Sequence, residues 1–126
     1  MKARVVDTSV LAALVFGEPR ASEARDLLLK ARLLAPRLLG YELAHVAVKK
    51  IAMRPESAEL VLQSFSLAMR LEIQWVDVDL TEVVKLARRE KLSAYDASYL
   101  YASRTLGVEL VTFDEELQRR ARAPGT

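Results

Sequence analysis

Four acidic side chains occupy places that are unusual for charge in a globular protein. Each follows or interrupts a run of apolar or small residues, and the four are Asp7, Glu42, Asp96 and Asp114. A carboxylate in such surroundings must be paired, hydrogen-bonded or metal-bound, because burying it alone is expensive. Several carboxylates in one pocket also repel each other unless a cation holds them together. Because all four side chains would offer oxygen, the set favours a hard cation, Mg²⁺ or Mn²⁺.

Each acid also has a structural explanation when it is taken alone. Asp7 and Asp114 stand where a side chain can cap a following helix. Asp96 completes a Ser-x-x-Asp capping box with Ser93, and a glutamate such as Glu42 on a helix is exposed more often than buried. The metal-site hypothesis therefore depends on all four acids together, at the strand ends and helix starts that a parallel sheet brings close.

The elements that would position these acids alternate between short apolar strands and longer helices. The predicted strands cover 3–7, 33–35, 73–76 and 108–112. The predicted helices run from a cap at Thr8 or Ser9 to Phe16, over 22–32, 38–53 and 56–71, from a cap at Asp79 to about Lys91, and over 94–106 and 114–123. This alternation predicts an α/β fold with a short central parallel sheet and helices on both faces. Ligands of such folds bind at the carboxyl ends of the strands, which is where Asp7 and Asp114 stand.

Length and composition limit the possible classes of protein. The 126 residues predict one domain, 1–126, with a core of its own. The absence of cysteine excludes disulfide frameworks, thiolate zinc sites and cysteine nucleophiles, and is typical of a reducing cytoplasm. The longest apolar stretch, residues 10–16, is far shorter than the roughly 20 residues that cross a bilayer, and no signal-peptide pattern is visible. We therefore expect a cytoplasmic protein that does not enter a membrane.

The charge balance favours a negatively charged partner. Nineteen basic side chains face seventeen acidic ones, which gives a net charge of +2. If metal neutralises the four site acids, thirteen acidic side chains remain against nineteen basic ones. Such a background helps a polyanion approach a site that is itself acidic. A mixed, solvated surface is the simpler interpretation of the same counts.

The histidine and the tyrosines offer weaker signals. His45 lies three residues after Glu42 on the same predicted helix, so it shares a face with that acid, although contact with solvent or a partner is the simpler expectation for it. The tyrosines at 41, 95, 99 and 101 are predicted mainly to pack in the core, with stacking on unpaired bases as the alternative.

Taken together, four short segments resemble the PIN domain family, in particular the VapC-type ribonuclease toxins of VapBC toxin–antitoxin pairs. The segments are Val6-Asp7-Thr8-Ser9, Tyr41-Glu42-Leu43, Tyr95-Asp96-Ala97 and Leu110-Val111-Thr112-Phe113-Asp114. The resemblance covers essentially the whole chain. It implies a PIN-like three-layer α/β/α fold and a Mg²⁺- or Mn²⁺-dependent endoribonuclease. It also implies a homodimer and a cognate antitoxin that occludes the site.

The resemblance also implies roles for individual residues. Asp7, Glu42, Asp96 and Asp114 would bind one or two metal ions and carry out catalysis, and Glu115 and Glu116 compete with Asp114 for the fourth position. Thr8 and Ser9 would orient Asp7, and Thr112 would help to fix the site near Asp114. In the corresponding chemistry a divalent metal supplies an acidic water molecule and screens charge on the phosphate.

Other functional classes fit less well. A receiver-type phosphoacceptor domain usually has an adjacent acidic pair after its first strand, and a dehalogenase-like phosphatase has Asp-x-Asp, whereas this chain has Asp7-Thr8-Ser9. The main alternative is a catalytically inactive domain of the same fold that binds RNA or a protein partner. The presence of all four acids argues against that alternative.

Overall fold

The computed structural model describes residues 1–123, so the last three residues of the predicted domain 1–126 lie outside the described residues. The strands of the described part are β1 (Lys2–Val6), β2 (Ala31–Pro36), β3 (Ile73–Val76) and β4 (Glu109–Val111). Its helices are α1 (Thr8–Val15), α2 (Ala21–Leu28), α3 (Leu38–Met53), α4 (Ala58–Met69), α5 (Leu80–Glu90), α6 (Ala94–Leu106) and α7 (Glu115–Arg122). A 3₁₀ turn, Pro55–Ser57, precedes α4.

The four strands form one parallel sheet in the order β3-β2-β1-β4. The chain therefore adds β2 and β3 on one side of β1 and returns to place β4 on the other side. This reversal creates a topological switch point between β1 and β4, and the carboxyl ends of the strands at such a point are where sheets of this type bind ligands. Val6 pairs with Val111 at the end of both strands, so the residues that follow them are neighbours. The predicted α/β/α architecture is confirmed.

The core explains why the central strand is apolar. Val5 and Val6 are completely buried, as expected for a strand that is covered on both faces. Helix α6 packs across β1, β2 and β4, while α1 packs against α2 and α3. None of the helices within residues 1–123 combines the length and the apolar character needed to cross a bilayer.

The predicted boundary between the second helix and the second strand is wrong. Helix α2 ends at Leu28, and residues 31 and 32 belong to β2 instead of the helix predicted over 22–32. The chain turns at Lys30, which has the left-handed φ of 57°. Ala31 pairs with Lys2 of the central strand, so strand pairing extends β2 beyond its apolar residues.

Candidate metal centre

Asp7 follows β1 directly, and its carboxylate lies at the carboxyl edge of the sheet with only 6% of the residue exposed. Its Oδ1 accepts hydrogen bonds from the backbone N–H groups of Ser9 and Val10, at 3.0 and 3.3 Å, and from the Ser9 hydroxyl at 2.6 Å. Its Oδ2 accepts from the Thr112 hydroxyl. The helix cap predicted at Thr8 or Ser9 is instead Asp7, because its side chain reaches both backbone donors.

Burial makes the charge of Asp7 costly. It raises the pKa of Asp7 above its ordinary value, although the hydrogen bonds from Ser9, Thr112 and Val10 lower that pKa in part. Oδ2 accepts only one of these bonds and therefore keeps a lone pair for another ligand. A cation at Oδ2 would offset the cost that the hydrogen bonds leave uncompensated.

Thr112 links the two acids that follow the neighbouring strands. It lies just past β4 with 3% of its surface exposed. Its hydroxyl donates to Asp7 and accepts from the backbone N–H of Asp114 at 3.0 Å. The Asp114 carboxylate caps α7 by accepting from the Leu117 N–H at 2.8 Å. A single buried hydroxyl thus fixes where Asp114 stands relative to Asp7.

Glu42 reaches the same region from the first turns of α3. Its Oε1 accepts a hydrogen bond from the Thr8 hydroxyl at 2.8 Å and from the Tyr99 hydroxyl at 2.6 Å. Thr8 was expected to orient Asp7, and its hydroxyl donates to Glu42 instead. The difference arises because Thr8 is the first residue of α1, and α1 packs against α3.

Asp96 lies in the first turn of α6 and faces two other acids. Its backbone N–H donates to the Ser93 hydroxyl at 3.0 Å, which is one half of the predicted capping box. Burial raises the pKa of Asp96, the negative charges of Asp114 and Glu42 raise it further, and a hydrogen bond with Ser93 lowers it in part. Asp114 and Glu42 are thus near enough to Asp96 for their charges to act on it.

The three candidates for the fourth acid differ in what they contact. Glu116 forms ion pairs with Arg119 and Arg120 on its own helix. The charge of Glu115 acts on Arg20. Among the three, only Asp114 contributes to the raised pKa of Asp96. This geometry favours Asp114 over the two glutamates.

The donor set fits a hard divalent cation in its chemistry. All four predicted ligands are carboxylates, the type that Mg²⁺ and Mn²⁺ prefer. Within residues 1–123, no three acidic or histidine side chains surround one point closely enough to hold a cation jointly. Mg²⁺ usually retains several waters and is held directly by one or two carboxylates, so a hydrated ion does not need three ligands from the chain around one point.

Tyr99 also belongs to this region, although it was predicted mainly to pack in the core, with base stacking as the alternative. It is indeed 2% exposed, yet its hydroxyl contacts Glu42 and lies 2.9 Å from the Thr8 hydroxyl. Burial raises the pKa of the Tyr99 hydroxyl, and the adjacent Glu42 raises it further, so the group stays protonated and donates. The sequence could have indicated this role, because Tyr99 stands three residues after Asp96 and therefore on the same face of α6.

A shallow groove of about 460 Å³ includes one of the four acids, Glu42, and is lined by Thr8, Leu38, Tyr41, Glu42, His45, Val46 and Tyr95. Tyr41 is 79% exposed and Tyr95 is 61% exposed, so the predicted core packing is wrong for both. Their rings flank the acids and are accessible for stacking. His45 is exposed on the same groove.

Known proteins share this architecture. The family profile described as "PIN domain" matches residues 4–123. The crystal structure of PAE2754 from Pyrobaculum aerophilum superposes with a TM-score of 0.76 at 26% identity, over 96% of this chain and 87% of that one. VapC20 from Mycobacterium tuberculosis, described as a toxin that cleaves the sarcin–ricin loop, superposes with a TM-score of 0.68 at 18% identity, over 93% of this chain and 94% of its own. At that identity the second likeness concerns the fold alone. No curated protein matches by sequence.

Proposed function

The chain belongs to the PIN domain family, and from this premise we propose that it is a Mg²⁺- or Mn²⁺-dependent endoribonuclease that hydrolyses RNA phosphodiester bonds. The observation that carries the proposal is the geometry at the carboxyl ends of β1 and β4, where the buried Thr112 hydroxyl donates to the Asp7 carboxylate and accepts from the backbone N–H of Asp114. Repelling carboxylates at the switch point of a parallel sheet are the arrangement that a divalent cation stabilises.

In this proposal Asp7, Glu42, Asp96 and Asp114 are the metal-binding and catalytic residues. Asp7 is held in one orientation by Ser9 and Thr112, and its burial excludes water from one side of the carboxylate. Asp114 is fixed through its own backbone N–H by the same threonine. One or two bound divalent ions would acidify a water molecule and neutralise charge that develops on the phosphate.

RNA fits the surface around the acids better than a small neutral substrate does. The exposed rings of Tyr41 and Tyr95 offer flat faces on which unpaired bases stack. The excess of basic side chains outside the four acids attracts a polyanion. These features support a single-stranded or locally unpaired substrate.

We further propose that the protein is the toxin of a toxin–antitoxin pair, acting in the cytoplasm as a homodimer that a cognate antitoxin inhibits. The similar fold of VapC20, itself described as a toxin, supports this assignment. Helix α4 leaves Leu60, Leu62 and Leu67 between 56% and 67% exposed. An apolar face of this kind is typical of protein interfaces.

Titration of the purified protein with Mn²⁺ in a calorimeter tests the metal dependence of this function. We expect binding by the wild type and much weaker binding by Asp96→Asn, because the variant loses a ligand and its charge. Mn²⁺ at one hundred times its Kd would also stabilise the wild type by about 2.7 kcal/mol, which a thermal scan detects.

Asp79→Asn is the matched control for this titration. Asp79 also starts a helix, where it accepts hydrogen bonds from the N–H groups of Thr81 and Glu82, but it lies outside the acidic set. Its variant is expected to bind Mn²⁺ as the wild type does. Failure of the wild type to bind, or equal binding by Asp96→Asn, would count against the proposed centre.

A further inference from the structure

We propose that Tyr99 is a positioning residue for Glu42, which together with Thr8 holds Oε1 of that carboxylate so that Oε2 is the oxygen offered to the cation. This inference rests on the proposed function. It concerns how the chain orders its own ligand before any ion binds. The four acids could be metal ligands without any such role for Tyr99.

Three side-chain oxygens from three helices meet at this point. The Thr8 hydroxyl lies 2.8 Å from Glu42 Oε1, the Tyr99 hydroxyl lies 2.6 Å from the same atom, and the two hydroxyls lie 2.9 Å apart. Only two hydroxyl protons are available for these three contacts, and a carboxylate can only accept. Either both hydroxyls donate to Oε1, or one hydroxyl donates to the other, which in turn donates to Oε1.

The burial of Tyr99 makes this arrangement rigid. The residue is 2% exposed, so its ring is enclosed by the protein. A buried phenol needs a hydrogen-bond partner, and leaving one unmade costs about 1–3 kcal/mol. Within residues 1–123, the hydrogen-bond partners of the phenol are Glu42 and Thr8. Rotation of Glu42 away from this position would thus break a buried hydrogen bond.

The two hydroxyls also connect Glu42 to the elements that carry other acids. Thr8 is adjacent in sequence to Asp7, and Tyr99 stands one helical turn after Asp96. Glu42 belongs to α3, which carries none of the other three acids. The hydroxyl pair therefore adds a hydrogen-bonded link from α3 to both α1 and α6. Groups that orient metal ligands in this way typically change metal affinity by 10–100-fold when they are removed.

The test compares Mn²⁺ binding by wild type, Tyr99→Phe and Tyr101→Phe in calorimetric titrations of the purified full chain. Tyr99→Phe removes one hydroxyl and keeps the ring, and we expect it to raise the Kd for Mn²⁺ by about 10-fold or more. Tyr101→Phe makes the same chemical change on the same helix at a half-buried position outside the acidic set. It is expected to leave the Kd unchanged.

Variants of Thr8 provide an independent arm if Tyr99→Phe does not fold. Thr8→Val removes the second donor and is expected to weaken Mn²⁺ binding, whereas Thr8→Ser keeps the hydroxyl and is expected to restore wild-type affinity. A purely structural role would lower thermal stability in EDTA without changing the Kd. A wild-type Kd for a folded Tyr99→Phe would overturn the inference, and if that variant does not fold, a wild-type Kd for Thr8→Val would do so.

A double variant separates action through Glu42 from any other effect. In a Glu42→Ala background, Tyr99→Phe is expected to cause no further weakening, because the residue through which it acts is absent. Additional weakening of the same size would overturn the positioning role. If wild type does not bind Mn²⁺, the proposed function falls and this inference with it. If wild type binds Mn²⁺ and Tyr99→Phe binds equally, only the positioning role falls.

Discussion

Asp96→Asn is expected to lower RNA cleavage by at least about 100-fold while the protein remains folded. Removing a group that only orients a metal ligand typically costs 10–100-fold, and Asp96 is proposed to be a ligand itself. The amide is neutral and a poorer ligand for a hard cation than a carboxylate. The measurement is the initial rate of cleavage of a labelled RNA in Mn²⁺, with Asp79→Asn as the matched variant of unchanged rate.

The stability of the same variant, measured in EDTA, distinguishes a catalytic acid from a structural one. The pKa of Asp96 is raised in the folded protein by burial and by Asp114 and Glu42. Because this pKa is raised, the fold is not penalised below the ordinary value of 3.8, where Asp96 is protonated in the folded and the unfolded chain. The folded protein loses stability as the pH rises through the folded-state pKa, because Asp96 must then carry its charge in the fold. In EDTA at neutral pH, Asp96→Asn is therefore expected to be as stable as the wild type or more stable. A large loss of stability would indicate a structural cap, and undiminished cleavage would remove Asp96 from the site.

Thr112→Val is expected to damage both stability and cleavage. The substitution keeps the shape of the side chain but removes the hydrogen bonds that Oδ2 of Asp7 and the Asp114 N–H make with Thr112, the one partner of each within residues 1–123. An unsatisfied buried group costs about 1–3 kcal/mol, and more when it is charged. Cleavage should fall by about 10-fold or more, because Asp7 and Asp114 lose the hydroxyl that orients them. Urea unfolding in EDTA and the RNA cleavage rate measure the two effects.

Thr112→Ser is the control that keeps the hydroxyl at this position. It is expected to retain most of the stability and cleavage that Thr112→Val loses, because the two hydrogen bonds can still form. Equal losses in Thr112→Ser and Thr112→Val would assign the effect to the lost methyl group. Wild-type behaviour of Thr112→Val would show that the link between Asp7 and Asp114 has no consequence.

The sheet and the strand-end acids could be predicted from local patterns. Short apolar segments between helices predicted the parallel sheet, and the rule for switch points then placed Asp7 and Asp114 at its carboxyl edge. The register confirms that the strands before these acids end side by side, with Val6 paired to Val111. The metal-binding role of the acids stays a prediction.

The hydroxyl contacts of Glu42 could not be predicted, because they depend on how helices pack. Thr8, Glu42 and Tyr99 belong to three helices, and no local pattern encodes the approach of their oxygens. The family resemblance implied that Thr8 orients Asp7, whereas the packing of α1 against α3 directs its hydroxyl to Glu42. The turn at Lys30 was missed for a related reason, since strand pairing imposes a left-handed residue where no glycine stands.

Cleavage of an RNA preparation by the purified wild-type protein, in Mn²⁺ and in Mn²⁺ with excess EDTA, tests the central claim most directly. We expect cleavage that requires the metal and that stops in EDTA. Cleavage that persists in excess EDTA would contradict a metal-dependent mechanism. RNA binding in Mn²⁺ without any cleavage would contradict the enzyme assignment and favour a domain of the same fold that binds RNA without cutting it.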